Sequence, residues 1–145
     1  QLFDTWAGLL SVEDYERIAL PATQRAIEVF RERAERKVPL IHYAKGSGHL
    51  HESIRSLDID ALSLDWRDDL RANRASFGDR FAFQGNLDPS RMHGSPEAAR
   101  TAAQRVLDEA GDAPGHVFNL GHGFAPGAQI DCVEAVLRLI TGESA

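Results

Sequence analysis

Four short segments of this 145-residue chain collect residue types that do chemistry. In Asn119-Leu120-Gly121-His122-Gly123, glycines flank a histidine that follows an apolar run. Flanking glycines let a ligand approach the backbone closely, and an imidazole titrates near neutrality and donates hydrogen bonds to a carboxylate. The same residues also suit a glycine-rich turn with an incidental histidine. Lys45-Gly46-Ser47-Gly48-His49 can form a nest of backbone N–H groups that holds an anion. It lacks the G-x-x-x-x-G-K-[ST] spacing of a phosphate loop, and a flexible turn is the simpler reading. Gln84-Gly85-Asn86-Leu87-Asp88-Pro89 offers two amides to a ligand, while Asp88-Pro89 imposes an extended or turn geometry. Here loop scaffolding comes first. Asp65, beside Trp66 at the end of another apolar run, is either a general base or the cap of the following turn.

Six histidines, His42, His49, His51, His93, His116 and His122, raise the question of metal binding. His49-x-His51 needs a third ligand, and none sits at a zinc-like spacing. The single cysteine, Cys132, lies amid apolar neighbours and reads as a small buried hydrophobe. It cannot form an internal disulfide. No Ser-His-Asp or Cys-His arrangement assembles from spacing either. No metal is expected.

The segments that carry these residues follow one pattern. Short apolar runs at Val38–Ala44, Ala61–Trp66, Phe81–Gly85 and His116–Leu120 fit strands of a parallel sheet covered by helices. Leu2-Phe3 followed by Asp4-Thr5 reads as the tail of another strand. Helical spacing links the runs. Ser11 stands three residues before Asp14 as a cap, and apolar residues at spacings of three and four continue from Tyr15 toward Arg36, with Pro21 placed to kink or divide the segment. Shorter helices are expected over His51–Leu57 and Leu70–Phe77. Ser95-Pro96 caps a helix running to about Ala110, and a last helix from about Ile130 to Ile140 is expected to bury Val133, Val136, Leu137 and Ile140 before Gly142.

The order is a strand tail and helix, then strand–helix repeated four times, without a composition shift that marks a second domain. Repeated βα units imply right-handed crossovers and a parallel sheet, an α/β fold. Strand ends are where such folds place their chemistry. A complete (β/α)8 barrel takes about 250 residues. This chain accommodates about half of one, and, beginning at Gln1 within a strand, it is expected to be a piece of a longer protein.

Composition narrows the class. Apolar residues make up 43% and charged residues 26%, as in globular domains. The net charge of −6 argues against nonspecific nucleic-acid binding, which usually needs clustered Lys and Arg. No apolar run approaches the ~20 residues of a membrane span, and no secretory leader is evident. A cytoplasmic protein of a reducing compartment is expected, with no membrane and no nucleic-acid partner.

Taken together, Leu2-Phe3-Asp4-Thr5-Trp6-Ala7-Gly8, the Ile41–Gly48 segment, Leu64-Asp65-Trp66, Gln84-Gly85-Asn86-Leu87-Asp88-Pro89 and Leu120-Gly121-His122-Gly123 resemble uroporphyrinogen decarboxylase. They occur in that family's order and span Leu2 to about Leu139, matching the C-terminal half of its (β/α)8 TIM barrel in about four βα units. The resemblance implies a homodimeric lyase that removes carboxyl groups from the acetate arms of uroporphyrinogen, giving coproporphyrinogen in haem biosynthesis, without metal or organic cofactor. It implies substrate contacts from the Thr5 hydroxyl, at a position often occupied by Ser, and from His122. The family's pyrrole-binding acid and its arginines belong to the half that precedes these residues, so no catalytic residue is assigned here.

Two alternatives accompany this reading. One is a non-catalytic folded fragment that only binds anions or self-associates. The other is a relative of the zinc-dependent cobamide methyltransferases, which place His-x-Cys at the strand matching Ile41–Ala44 and another Cys late in the chain. Here His42-Tyr43-Ala44 and His122 stand at those places, without either thiolate. Half a barrel would also leave two open sheet edges and an inner face of Ile41, Leu62 or Leu64, Phe81 or Phe83, and Val117 or Phe118. Such surfaces favour pairing with another chain.

Overall fold

A computed structural model describes residues 1–143. Five short strands, β1 (Leu2–Phe3), β2 (Ile41–Tyr43), β3 (Ala61–Ser63), β4 (Ala82–Gln84) and β5 (His116–Val117), form one sheet in the order β1-β2-β3-β4-β5. Every neighbouring pair is parallel. Helices α1 (Val12–Asp14), α2 (Leu20–Arg33), α3 (His51–Ile54), α4 (Leu70–Phe77) and α5 (Pro96–Ala110) fill the crossovers, and α6 (Ile130–Thr141) follows β5. This is the expected succession of βα units, with β1 and β5 left as edges.

Local chemistry starts and stops the helices. The Ser11 hydroxyl accepts from the Asp14 N–H at 3.1 Å, Asp69 accepts from the Ala72 N–H at 2.8 Å and Ser95 accepts from the Ala98 N–H at 3.2 Å. Each satisfies an orphan first-turn donor. Gly142 closes α6 in the left-handed region, at φ 73°, where glycine carries no Cβ penalty. Pro21 does not divide its helix. Instead a π-helical turn, Tyr15–Ala19, joins α1 to α2, and Pro21 stands in the first turn of α2. A proline ring collides with the carbonyl four residues earlier, and the wider turn relieves that collision without ending the helix.

Register sorts the strand residues into two rows. Leu2, His42, Leu62, Phe83 and His116 lie side by side, as do Phe3, Tyr43, Ser63, Gln84 and Val117. The first row faces the helices: His42, Leu62 and Phe83 are fully buried, with Leu64 and Phe81 in the same core. The second row lies on the open face. The expected inner face is therefore corrected. Ile41 and Val117 do share the parity of Tyr43, but Leu62, Leu64, Phe81 and Phe83 are all turned toward the helices, and Ser63 and Gln84 make the open face partly polar. Side chains alternate along a strand, so once Leu62 and Phe83 pack under the helices, Ser63 and Gln84 must face the other way.

The last helix also differs from expectation. Cys132 and Val136 are buried, whereas Leu137 and Ile140 are 49% and 39% exposed. One face of α6 packs on α5, and β5 is the final strand, so among the described residues no further βα unit covers the other face.

His42 carries a cost. It is completely buried, and neither ring nitrogen has a hydrogen-bond partner among the described residues. Burial pushes the imidazole below its usual titration range, against partial pulls from Asp4 and from the Leu2 backbone, which lies near the ring without meeting hydrogen-bond geometry. The folded state therefore holds it neutral, while the unfolded chain takes up a proton below the ordinary value of about 6.5. Stability from this position is complete above that value and is lost as pH falls through it. His42→Leu is expected to stabilise the intact protein by about 1–2 kcal/mol at pH 8, because an unpartnered polar group leaves the core. The gain should grow at pH 5.5. Urea unfolding at the two pH values checks this, and equal gains would contradict a neutral buried imidazole. His116, lowered by the same cause, leaves part of the acid sensitivity in place in both proteins.

Candidate active site

At the C-terminal ends of the strands, Phe3, Tyr43, Ser63, Gln84, Asn119 and His122 line a cleft of about 270 Å³ together with the loop beyond β5. Aromatic rings run around its mouth edge to face. Phe3 and Tyr43 have centroids 6.0 Å apart, Tyr43 and His122 6.2 Å, and His122 and Trp66 6.0 Å. Edge-to-face contact at these separations is favourable. Behind the rings, the Gln84 amide donates to the Ser63 hydroxyl at 3.2 Å. The Tyr43 hydroxyl donates to the Gly121 carbonyl at 2.8 Å. Burial, reinforced by the Asp65 charge, pushes the Tyr43 phenol well above its usual value, so it remains a neutral donor.

The glycine-rich loops are mutual packing surfaces. The Gly46 N–H donates to Asp65 Oδ2 at 3.0 Å, so the anion held by the Lys45-Gly46 turn is a carboxylate of the chain itself. Asp65, wholly buried, also accepts from the Arg67 N–H at Oδ1 and from Arg67 Nη1 at Oδ2, both at 2.9 Å. Between a general base and a turn cap, the geometry makes Asp65 the cap. Asn86 donates to the carbonyls of Asp65 and Asp68 at 3.0 and 2.7 Å. Asp88 accepts from the Ser90 N–H and hydroxyl, opening the short 3-10 turn that begins at Pro89. The Gln84–Pro89 segment thus does both jobs: Gln84 faces the cleft and Asn86 braces the neighbouring loop.

His122 projects into the cleft from between its two glycines. Thr5 is half-buried two residues past Phe3, at the same end of the sheet, but is not among the residues that line the cleft. Phe3, Tyr43 and Ser63 were not singled out from the sequence. Their shared register with Gln84 across neighbouring strands is the signal that groups them once strand pairing is known.

Residues 1–142 match the family described as uroporphyrinogen decarboxylase (URO-D). The chain belongs to the uroporphyrinogen decarboxylase family. A uroporphyrinogen decarboxylase from Alcanivorax borkumensis is 42% identical over 96% of this chain and 41% of its own length. One from Aromatoleum aromaticum is 46% identical over 96% of this chain and 38% of its own. The chain therefore spans about 40% of the length of the curated relatives it matches. A methyltransferase from Methanosarcina mazei shares the fold, with a TM-score of 0.77 at 17% identity over 99% of this chain and 41% of that one. The zinc-methyltransferase alternative gains nothing from this likeness. His42 lies in the core under the helices, on the opposite side of β2 from Tyr43 and the cleft, and the family match is to the decarboxylases.

Proposed function

We propose that the intact protein decarboxylates the acetate arms of uroporphyrinogen to give coproporphyrinogen, and that these residues are the C-terminal portion of its TIM barrel. The observation that carries the reading is His122: in a chain of this family, the one imidazole of the Gly121-His122-Gly123 turn lines a cleft at the C-terminal strand ends. Barrel enzymes place their chemistry at that end.

Protonation of a pyrrole carbon creates a cation, and loss of carbon dioxide then quenches it. A protein speeds this by holding the polyanionic macrocycle still and by presenting fixed dipoles and charge to the developing cation. In this reading the aromatic mouth covers the apolar macrocycle, and His122 donates to one of its carboxylates. The Thr5 hydroxyl contacts the substrate from the end of β1. The acid that faces the pyrrole N–H groups and the arginines that meet the acid arms come from the rest of the protein. Assembly as a homodimer and a cytoplasmic location belong to the same reading.

Steady-state decarboxylation by the intact protein tests it. His122→Ala is expected to lower kcat/KM by about 10–100-fold, the cost of one lost charge-assisted hydrogen bond at about 1.4 kcal/mol per decade. Thr5→Val should cost less. Unchanged kinetics in His122→Ala would remove that residue from the site.

A further inference from the structure

One cation packs on the Trp66 ring that meets the cleft-lining His122 and has no ion-pair partner among the described residues. Lys45 stands two residues past the end of β2, and its ammonium lies over the Trp66 ring, 5.8 Å from the centroid. Arg67 lies against the same ring at 4.1 Å. The two cations differ in how their charge is used. Arg67 is tied to the buried Asp65 at 2.9 Å, whereas Lys45 makes no ion pair within 4.0 Å among the described residues. The acids in the Trp66 loop are already engaged: Asp65 by Gly46 and Arg67, and Asp68 by the Asp65 N–H at 3.0 Å and by His51 at 3.8 Å. Trp66 in turn meets His122 edge-on. Lys45 and His122 therefore flank one indole at the mouth.

In a chain of net charge −6, a lone ammonium against an aromatic face at the cleft rim is a local inversion of field. The indole supports the lysine stem and holds the ammonium against its face. The neutral state of the neighbouring Tyr43 phenol removes a competing anion.

We propose that Lys45 binds a carboxylate arm of the macrocycle at the rim, next to the arm held by His122. The proposal rests on the decarboxylase reading and adds a substrate contact to it. Lysine acts here as a point charge, so its contribution is to affinity for the polyanion and not to the chemical step.

The experiment is steady-state decarboxylation of uroporphyrinogen by the intact protein and by its Lys45→Met, Lys45→Gln and Lys45→Arg variants, with thermal melts alongside. Wild-type turnover with KM raised about tenfold in Lys45→Met, kcat within about twofold and melting unchanged supports the proposal. Lys45→Gln should behave alike, Lys45→Arg should restore KM, and the gap between wild type and Lys45→Met should narrow as salt is raised. If the wild type turns over and the neutral variants keep its KM, the proposal falls and the decarboxylase reading stands. An arginine variant as impaired as the neutral ones also overturns it, since charge would not be what matters. A wild type that does not decarboxylate uroporphyrinogen overturns the reading and the proposal together.

Discussion

Asp65→Ala in the intact protein is expected to cost about 2–5 kcal/mol in denaturant unfolding, with decarboxylation falling alongside. The carboxylate is wholly buried and accepts from the Gly46 N–H, the Arg67 N–H and the Arg67 guanidinium. Arg67 is 55% exposed, so water takes over its charge when the partner goes. The two backbone donors have no such recourse, and each unsatisfied donor costs about 1–3 kcal/mol. The loop after β2 and the loop after β3 then lose their tie, and Trp66 and Lys45 lose their placement. Asp65→Asn, which keeps one acceptor, should be milder. A general base would show the opposite pattern, with Asn abolishing turnover while stability stayed near that of the wild type. That result would remove the structural assignment.

Gly121→Ala is expected to cost about 3 kcal/mol, at the upper end of what overpacking usually does. A Cβ there would collide with the Trp66 backbone nitrogen and lie 2.7 Å from its Cα and 2.8 Å from its Cβ. Gly121 cannot retreat. Its N–H donates to the Leu87 carbonyl at 2.8 Å and its carbonyl accepts from the Tyr43 hydroxyl at 2.8 Å. The added methyl must therefore push the β3 loop outward or break one of these bonds. Either outcome moves His122, the next residue, against Trp66. Equilibrium unfolding and kcat/KM should fall together, and an alanine variant within 0.5 kcal/mol of wild type would show that the loops are free to separate.

The two variants also mark how far the sequence can be read by itself. The succession of βα units was legible because it is written in local terms. Caps at Ser11 and Ser95, the start at Pro96 and the stop at Gly142 act within one helical turn, and each formed where its residues stand. The polar and glycine-bearing ends of the apolar runs marked the C-terminal edge of the sheet, and the family motifs followed from their order. His122 stood out as a histidine between glycines after a strand and lines the cleft, but on residue type alone an incidental turn histidine suited it equally, and its role came from the resemblance.

What the tertiary structure decided is what faces what. Alternation along a strand specifies two faces but not which is covered, so Leu62 and Phe83 went to the helices and Tyr43, Ser63 and Gln84 to the cleft. The role of Asp65 depends on a glycine 19 positions earlier in the chain, and the placement of Tyr43 on a carbonyl 78 positions later. Leu137 and Ile140 look like core residues by their spacing, yet burial needs a neighbour as well as a periodicity, and α6 has one on a single face. Residue type and local spacing act over a few ångströms of backbone and are present in any stretch of chain. Partners far apart in sequence meet only when the parallel strands bring their ends to one edge.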